Sequence, residues 1–144
     1  MPGLPRFSFG VGDRFAHQAE AQLAAFEALA SAGVIVAPVW NKSNREHTFL
    51  GTEPASVRAA ADAAVAARRW PHPYFVDADH VRLDTVGKFL DASDFFTIDV
   101  ADRIGREAAG DDVEAFLGRH PELTRPVTVA GIARALPLDR DRAA

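Results

Sequence analysis

The residues best suited to chemistry lie together in Tyr74–His80, Tyr-Phe-Val-Asp-Ala-Asp-His. Three apolar β-formers run into Asp77, Asp79 and His80. That order reads as a buried strand whose last residues emerge at a reactive surface. Asp79 and His80 set a carboxylate base beside an imidazole, the side chain that most often binds metals and moves protons near neutrality. The plainer reading is a polar loop, because one Asp-His pair is a short motif. A second cluster, Asn41–His47, packs Asn41, Lys42, Asn44, Arg45, Glu46 and His47 into seven residues. Its cations and amides suit an anionic, hydroxylated ligand, and its plainer reading is a solvated loop. Asp13, Arg14 and His17 form a third group, which either contacts ligand or caps a helix at Asp13. Asp99 sits in an apolar run, where an inward carboxylate is costly unless paired.

These residues follow apolar stretches at regular intervals. Phe7–Gly12 reads as a first strand, and Ala16–Ala32 as a helix with Leu23, Phe26 and Leu29 at helical spacing and Gly33 as its stop. Val34–Trp40 reads as a second strand that breaks into the polar run 41–47. A helix capped at Thr52 or Glu53, with Pro54 in its first turn, continues to Trp70. After the third strand a helix is expected around Asp84–Leu90. Asp94–Val100 reads as a fourth strand and Asp111–Arg119 as a last helix with an acidic first turn. Asp139–Arg142 resembles the opening of another. Four strand–helix units in alternation predict an α/β fold with a parallel sheet, either doubly wound or a (β/α)8 TIM-type barrel. Each strand ends in charged or amide groups, as at the shared C-terminal face of a barrel. Gly10-Val-Gly12 lacks the third glycine of a dinucleotide fingerprint. The barrel is therefore the expected class, with this chain supplying about four units as one domain, 1–144, of a longer enzyme.

Composition narrows the partners. With 144 residues and 48% hydrophobic content the chain can build one core. A net charge of -4 and a pI near 5.7 argue against nucleic acid. No apolar run approaches membrane-spanning length. Cysteine is absent, which rules out thiolate sites and suits a reducing cytoplasm.

Four long words carry a resemblance: Phe-Ser-Phe-Gly-Val-Gly-Asp-Arg-Phe (7–15), Pro-Val-Trp-Asn-Lys-Ser-Asn-Arg-Glu-His (38–47), Tyr-Phe-Val-Asp-Ala-Asp-His (74–80) and Asp-Phe-Phe-Thr-Ile-Asp-Val-Ala-Asp (94–102). Together they resemble the tagaturonate epimerase family. The resemblance implies interconversion of D-tagaturonate and D-fructuronate in hexuronate catabolism with a divalent metal ion, for which Zn, Mn, Ni or Fe are candidates. It implies Asp79 as proton acceptor and His80 as metal ligand. It also implies that the proton donor and the remaining ligands lie beyond Ala144, since family members are several times longer. The substrate-binding set expected here is Asp13, Arg14, Asn41, Lys42, Asn44, Arg45, His47, Asp77 and Asp99. Two alternatives stand beside this one. One is a metal-dependent sugar-acid aldolase or isomerase on the same scaffold. The other is a non-catalytic half-barrel that self-associates through open sheet edges.

Overall fold

The computed structural model describes residues 5–137, so the helix expected at Asp139–Arg142 lies outside them. Two compact units divide after Val100. The first holds strands β1 (Ser8–Gly12), β2 (Ala37–Ser43), β3 (Phe75–Val81) and β4 (Phe95–Ile98), and helices α1 (Ala19–Ser31), α2 (Asn44–Leu50) and α3 (Ala55–Arg68). The strands are parallel and ordered β1-β2-β3-β4. A doubly wound sheet reverses its strand order at a switch point. This sheet has no reversal.

One face of the sheet is covered by helices because its outward positions are apolar. Trp40 and Val76 are register neighbours and pack with Leu23 and Phe26 of α1 and with Val57, Ala61 and Ala64 of α3. Each large buried side chain here contributes about 1.5–3 kcal/mol. The alanine-rich stripe of α3 has a further effect, since small side chains let helix and sheet approach closely. Polar ties fix the layers. The Trp40 indole donates to Gln22 Oε1 at 3.0 Å, and Gln22 Nε2 donates to the Gly12 carbonyl at 2.9 Å. Asp94 Oδ2 accepts from the Val76 amide at 2.8 Å and from Arg58, whose Nε also donates to the Ala92 carbonyl.

Four local expectations need correction. The second strand begins at Ala37, because the Val34 amide is engaged by the Leu29 carbonyl as α1 closes through Gly33, φ 87°. The polar run 41–47 is not a loop. Asn41–Ser43 complete β2, and α2 follows at once through a capping box in which Ser43 and Glu46 satisfy each other's backbone amides. The helix expected at 84–90 is one 3-10 turn, Val86–Phe89; Thr85, Val86 and Gly87 are weak helix formers, and few residues separate the strands. The third strand runs on through Val81, so its charged residues lie within it, whereas Asp99 lies just past the end of β4.

The second unit contains α4 (Gly110–Arg119), a 3-10 turn at Pro121–Thr124, and an antiparallel bridge between Val127 and Leu136. The bridge turns near Gly131, φ 85°. Among the described residues no helix is long and apolar enough to cross a membrane.

Candidate functional site

Side chains alternate along a strand, so the parallel register decides which candidates meet. Asn41 lies beside Asp77 and Ser43 beside Asp79, on the face opposite the helices, while Trp40 and Lys42 lie beside Val76 and Ala78 on the helix side. The helix-free face is therefore polar along the C-terminal part of β2 and β3, beside the apolar Val39, Phe75 and Phe95. It holds Asn41, Ser43, Asp77 and Asp79, with Thr97 from β4 donating to Asp77 Oδ2 at 2.8 Å. Asn41, Asp77 and Thr97 line a concavity of about 210 Å³ together with Ser8, Gly10 and Val39.

Asp79 and His80 are chain neighbours and would point to opposite faces of a regular strand. They do not. The β3–β4 register shifts between Ala78 and Val81, and within that interval His80 takes φ 54°, a left-handed conformation unfavourable for a residue with a Cβ. His80 Nδ1 thereby comes to 2.7 Å from Asp79 Oδ1. The hydrogen bond to Asp79, and then the charge of Asp79, hold the His80 imidazole above its ordinary pKa, with Asp99 adding to the effect and Arg45 opposing it. The His80 side chain is 63% exposed, which leaves its Nε2 open to an incoming molecule. Asp77 is pushed up by burial, and the charge of Asp79 adds to the rise against the Thr97 hydrogen bond.

The other candidates separate from this face. Asp13 accepts from the amides of Phe15 and Gln18 and so shapes the entry to α1. Arg14 pairs with Glu46 Oε1 at 3.1 Å, tying the loop after β1 to the start of α2. Glu46 is raised by burial, but hydrogen bonds from Ser43 and Arg14 outweigh this and lower it overall. Arg45 is exposed and close enough to His80 to act on it electrostatically. Asn44 Oδ1 is buried without a hydrogen-bond partner. Asp99 Oδ2 accepts from Nε and Nη2 of Arg82 at 3.0 and 2.9 Å.

Lys42 and His47 are buried on the helix side, 2% and 1% exposed. Lys42 Nζ donates to Thr52 Oγ1 at 2.9 Å, and Thr52 Oγ1 lies 3.0 Å from His47 Nδ1. The Thr52 hydroxyl can thus accept from the lysine and donate to a neutral imidazole. Burial lowers the Lys42 ammonium, with Glu46 and Asp13 opposing. Burial, followed by the charges of Lys42 and Lys88, lowers His47 to about 4. Sequence reasoning put these two residues with Asn41, and the structure puts them behind it. Thr97 was missed, because a lone threonine in an apolar run carries no signal of its own.

The donor set does not complete a metal site. Among the described residues no group of three His, Cys, Asp or Glu side chains converges to hold an ion. Asp79 and His80 supply two donors that already engage each other, whereas catalytic sites for such ions use three or more protein ligands.

No known family's sequence pattern matches the chain, and no curated protein matches it by sequence. Among solved structures, fructuronate-tagaturonate epimerase UxaE from Cohnella laeviribosi is similar. The one-glycerol complex superposes with a TM-score of 0.64 at 21% identity, covering 95% of this chain and 30% of that one. The native enzyme gives a TM-score of 0.62 at 19% identity with the same coverage. The likeness is one of fold. This chain spans 30% of the length of those structures.

Proposed function

We propose that the sheet is one part of a (β/α)8-type barrel and that its Asp79–His80 pair belongs to a sugar-acid epimerase site acting on D-tagaturonate and D-fructuronate. The observation that carries this reading is the bulge at His80. A strained backbone sets an acid–base pair side by side at the rim of a polar, helix-free face, and strain of this kind is typical of working sites. The solved structures of similar fold and the four sequence words supply the substrate class.

The two keto-uronates differ at a carbon β to the ketone, so removing its hydrogen gives no enolate stabilised by that carbonyl. The chemistry available to a carboxylate base is removal of the hydroxyl proton on that carbon. Asp79 takes this proton, and the bond to the carbon next to the ketone breaks. Its electrons form the enediolate, and the inverted carbon becomes an aldehyde. Rotation of the aldehyde, re-addition and return of the proton from Asp79 give the epimer. His80 holds Asp79 in place through Nδ1 and offers Nε2 to the oxygen that gains charge. A divalent cation at this position would need ligands from outside the described residues.

The test is incubation of the full chain with D-tagaturonate in heavy water, with and without Mn²⁺ or Zn²⁺, followed by NMR. Conversion without deuterium at the inverted carbon, abolished in Asp79→Asn and His80→Ala, supports the reading. Deuterium at that carbon refutes the cleavage route, and turnover unaffected by either substitution refutes the site. A second reading rests on the aromatic rings of Phe7 and Phe9, 51% and 65% exposed at edge strand β1. A chain without turnover that associates with rising concentration in sedimentation is a self-assembling half-barrel.

A further inference from the structure

The concavity on the helix-free face contains more unsatisfied polar chemistry than folding requires. Asp77 Oδ1 is fully buried and has no hydrogen-bond partner, while its sister oxygen is satisfied by Thr97. A buried, unpaired carboxylate oxygen costs stability and calls for an explanation. Beside it in the register stands Asn41, whose side-chain amide has no hydrogen bond among the described residues. The amide is also held in place. A Cβ at Gly10 would meet Asn41 Nδ2 at 3.2 Å and a Cβ at Gly12 would meet Oδ1 at 3.1 Å, so the planar carboxamide lies close against both glycines and a Cβ at either would push it by a few tenths of an ångström. Neither glycine has positive φ. Backbone conformation therefore gives no reason for glycine at either position, and the close approach of Asn41 does. The floor is apolar, formed by Val39 and by Phe95, which stacks edge-to-face on Phe75.

A carboxyl oxygen that accepts, a carboxamide that both donates and accepts, and an apolar floor match a polyhydroxylated carbon chain. Adjacent hydroxyls can bridge Asp77 and Asn41 while the C–H face lies on Val39 and Phe95. The same arrangement repels a carboxylate, since it would face Asp77 with Asp79 nearby and, among the described residues, no cation lines the cavity. We propose that Asn41 and Asp77, steadied by Gly10 and Thr97, form a subsite for the uncharged polyol end of the substrate, leaving the substrate's acid end to lie outside this cavity. This orientation rests on the sugar-acid reading above and adds to it which end of the molecule enters the sheet.

The experiment is an NMR titration of the 144-residue chain with two probes, xylitol as a neutral polyol and xylarate, the same five-carbon chain with a carboxylate at each end. Shifts of the Asn41 side-chain amide are followed, and a cooperative melt of each variant checks folding. Xylitol is expected to shift that amide, xylarate to bind roughly tenfold more weakly, and Asp77→Ala and Asn41→Ala to weaken xylitol roughly tenfold. Gly10→Ala is the second kind of variant. It leaves every polar group present and only displaces the amide, so weaker xylitol binding with an unchanged melt is the specific signature. Absence of a xylitol shift, equal binding of the two probes, or binding indifferent to all three substitutions overturns the subsite. Turnover separates the two proposals: a chain that binds xylitol through Asp77 yet never converts tagaturonate keeps the subsite and loses the epimerase.

Discussion

Acidification should expose His47 as the weak point of the fold. Its imidazole is 1% exposed, and burial with the charges of Lys42 and Lys88 lowers it from 6.5 to about 4. In the unfolded chain the ring regains its ordinary value. Between these two values the unfolded state binds a proton that the folded state does not, so stability is full above the unfolded value and falls as the pH drops towards the folded one. The whole step is worth about 3 kcal/mol, of which about 2.5 kcal/mol is lost between about pH 7.5 and about pH 4.5. Carboxylates such as Glu46, which is lowered on folding, also lose stability on acidification, so the test is a difference. Urea unfolding of the wild-type chain and of His47→Asn is measured across that range. Asparagine keeps an acceptor for the Thr52 hydroxyl but does not titrate, and its acid slope should be flatter by about 2.5 kcal/mol. Lys42→Met should also shrink the step, because it removes one of the charges that hold His47 neutral. Parallel acid slopes for wild type and His47→Asn would refute this assignment.

Three further outcomes follow from the same geometry. His80→Gly relieves the left-handed backbone at φ 54° and should raise stability by about 1 kcal/mol in denaturant unfolding, whereas His80→Ala should not, because alanine keeps the strain. Ser43→Ala removes the capping box of α2 and should cost about 1 kcal/mol in a thermal melt, without changing the cooperativity. Asp94→Ala leaves the Val76 amide and the Arg58 guanidinium without their shared carboxylate. It should cost about 2–4 kcal/mol, while Asp94→Asn, which keeps one acceptor, should cost less.

The four strands were legible because their apolar runs are bounded by turn residues. What was misread shares one cause. Charged and amide groups after an apolar run read as the end of a strand, at Asn41–Ser43 as at Asp77–His80. Those residues are instead strand interior, with Asn41 and Ser43 on one face and Trp40 and Lys42 on the other. The spacing Ser43-x-x-Glu46 is a helix-start signature, hidden by the density of charge around it. The bulge at His80 has no local signature. Histidine is enriched among non-glycine residues at positive φ, but a lone histidine in a strand-like run does not mark one, and the register shift against β4 depends on a partner strand some twenty residues away. Most of the site is thus readable as a list of residues. Its sidedness needs the fold.

The chain has two lysines, Lys42 and Lys88. Lys88 is exposed beside the Phe89 ring, whereas Lys42 is sealed beneath α2. An amine-acylating reagent therefore finds Lys88 in the folded molecule and reaches Lys42 only when the helical layer lifts from the sheet. The rate at which mass spectrometry sees Lys42 acquire the label, set against Lys88 on the same molecule, reads the opening frequency of that layer without any substitution in the chain.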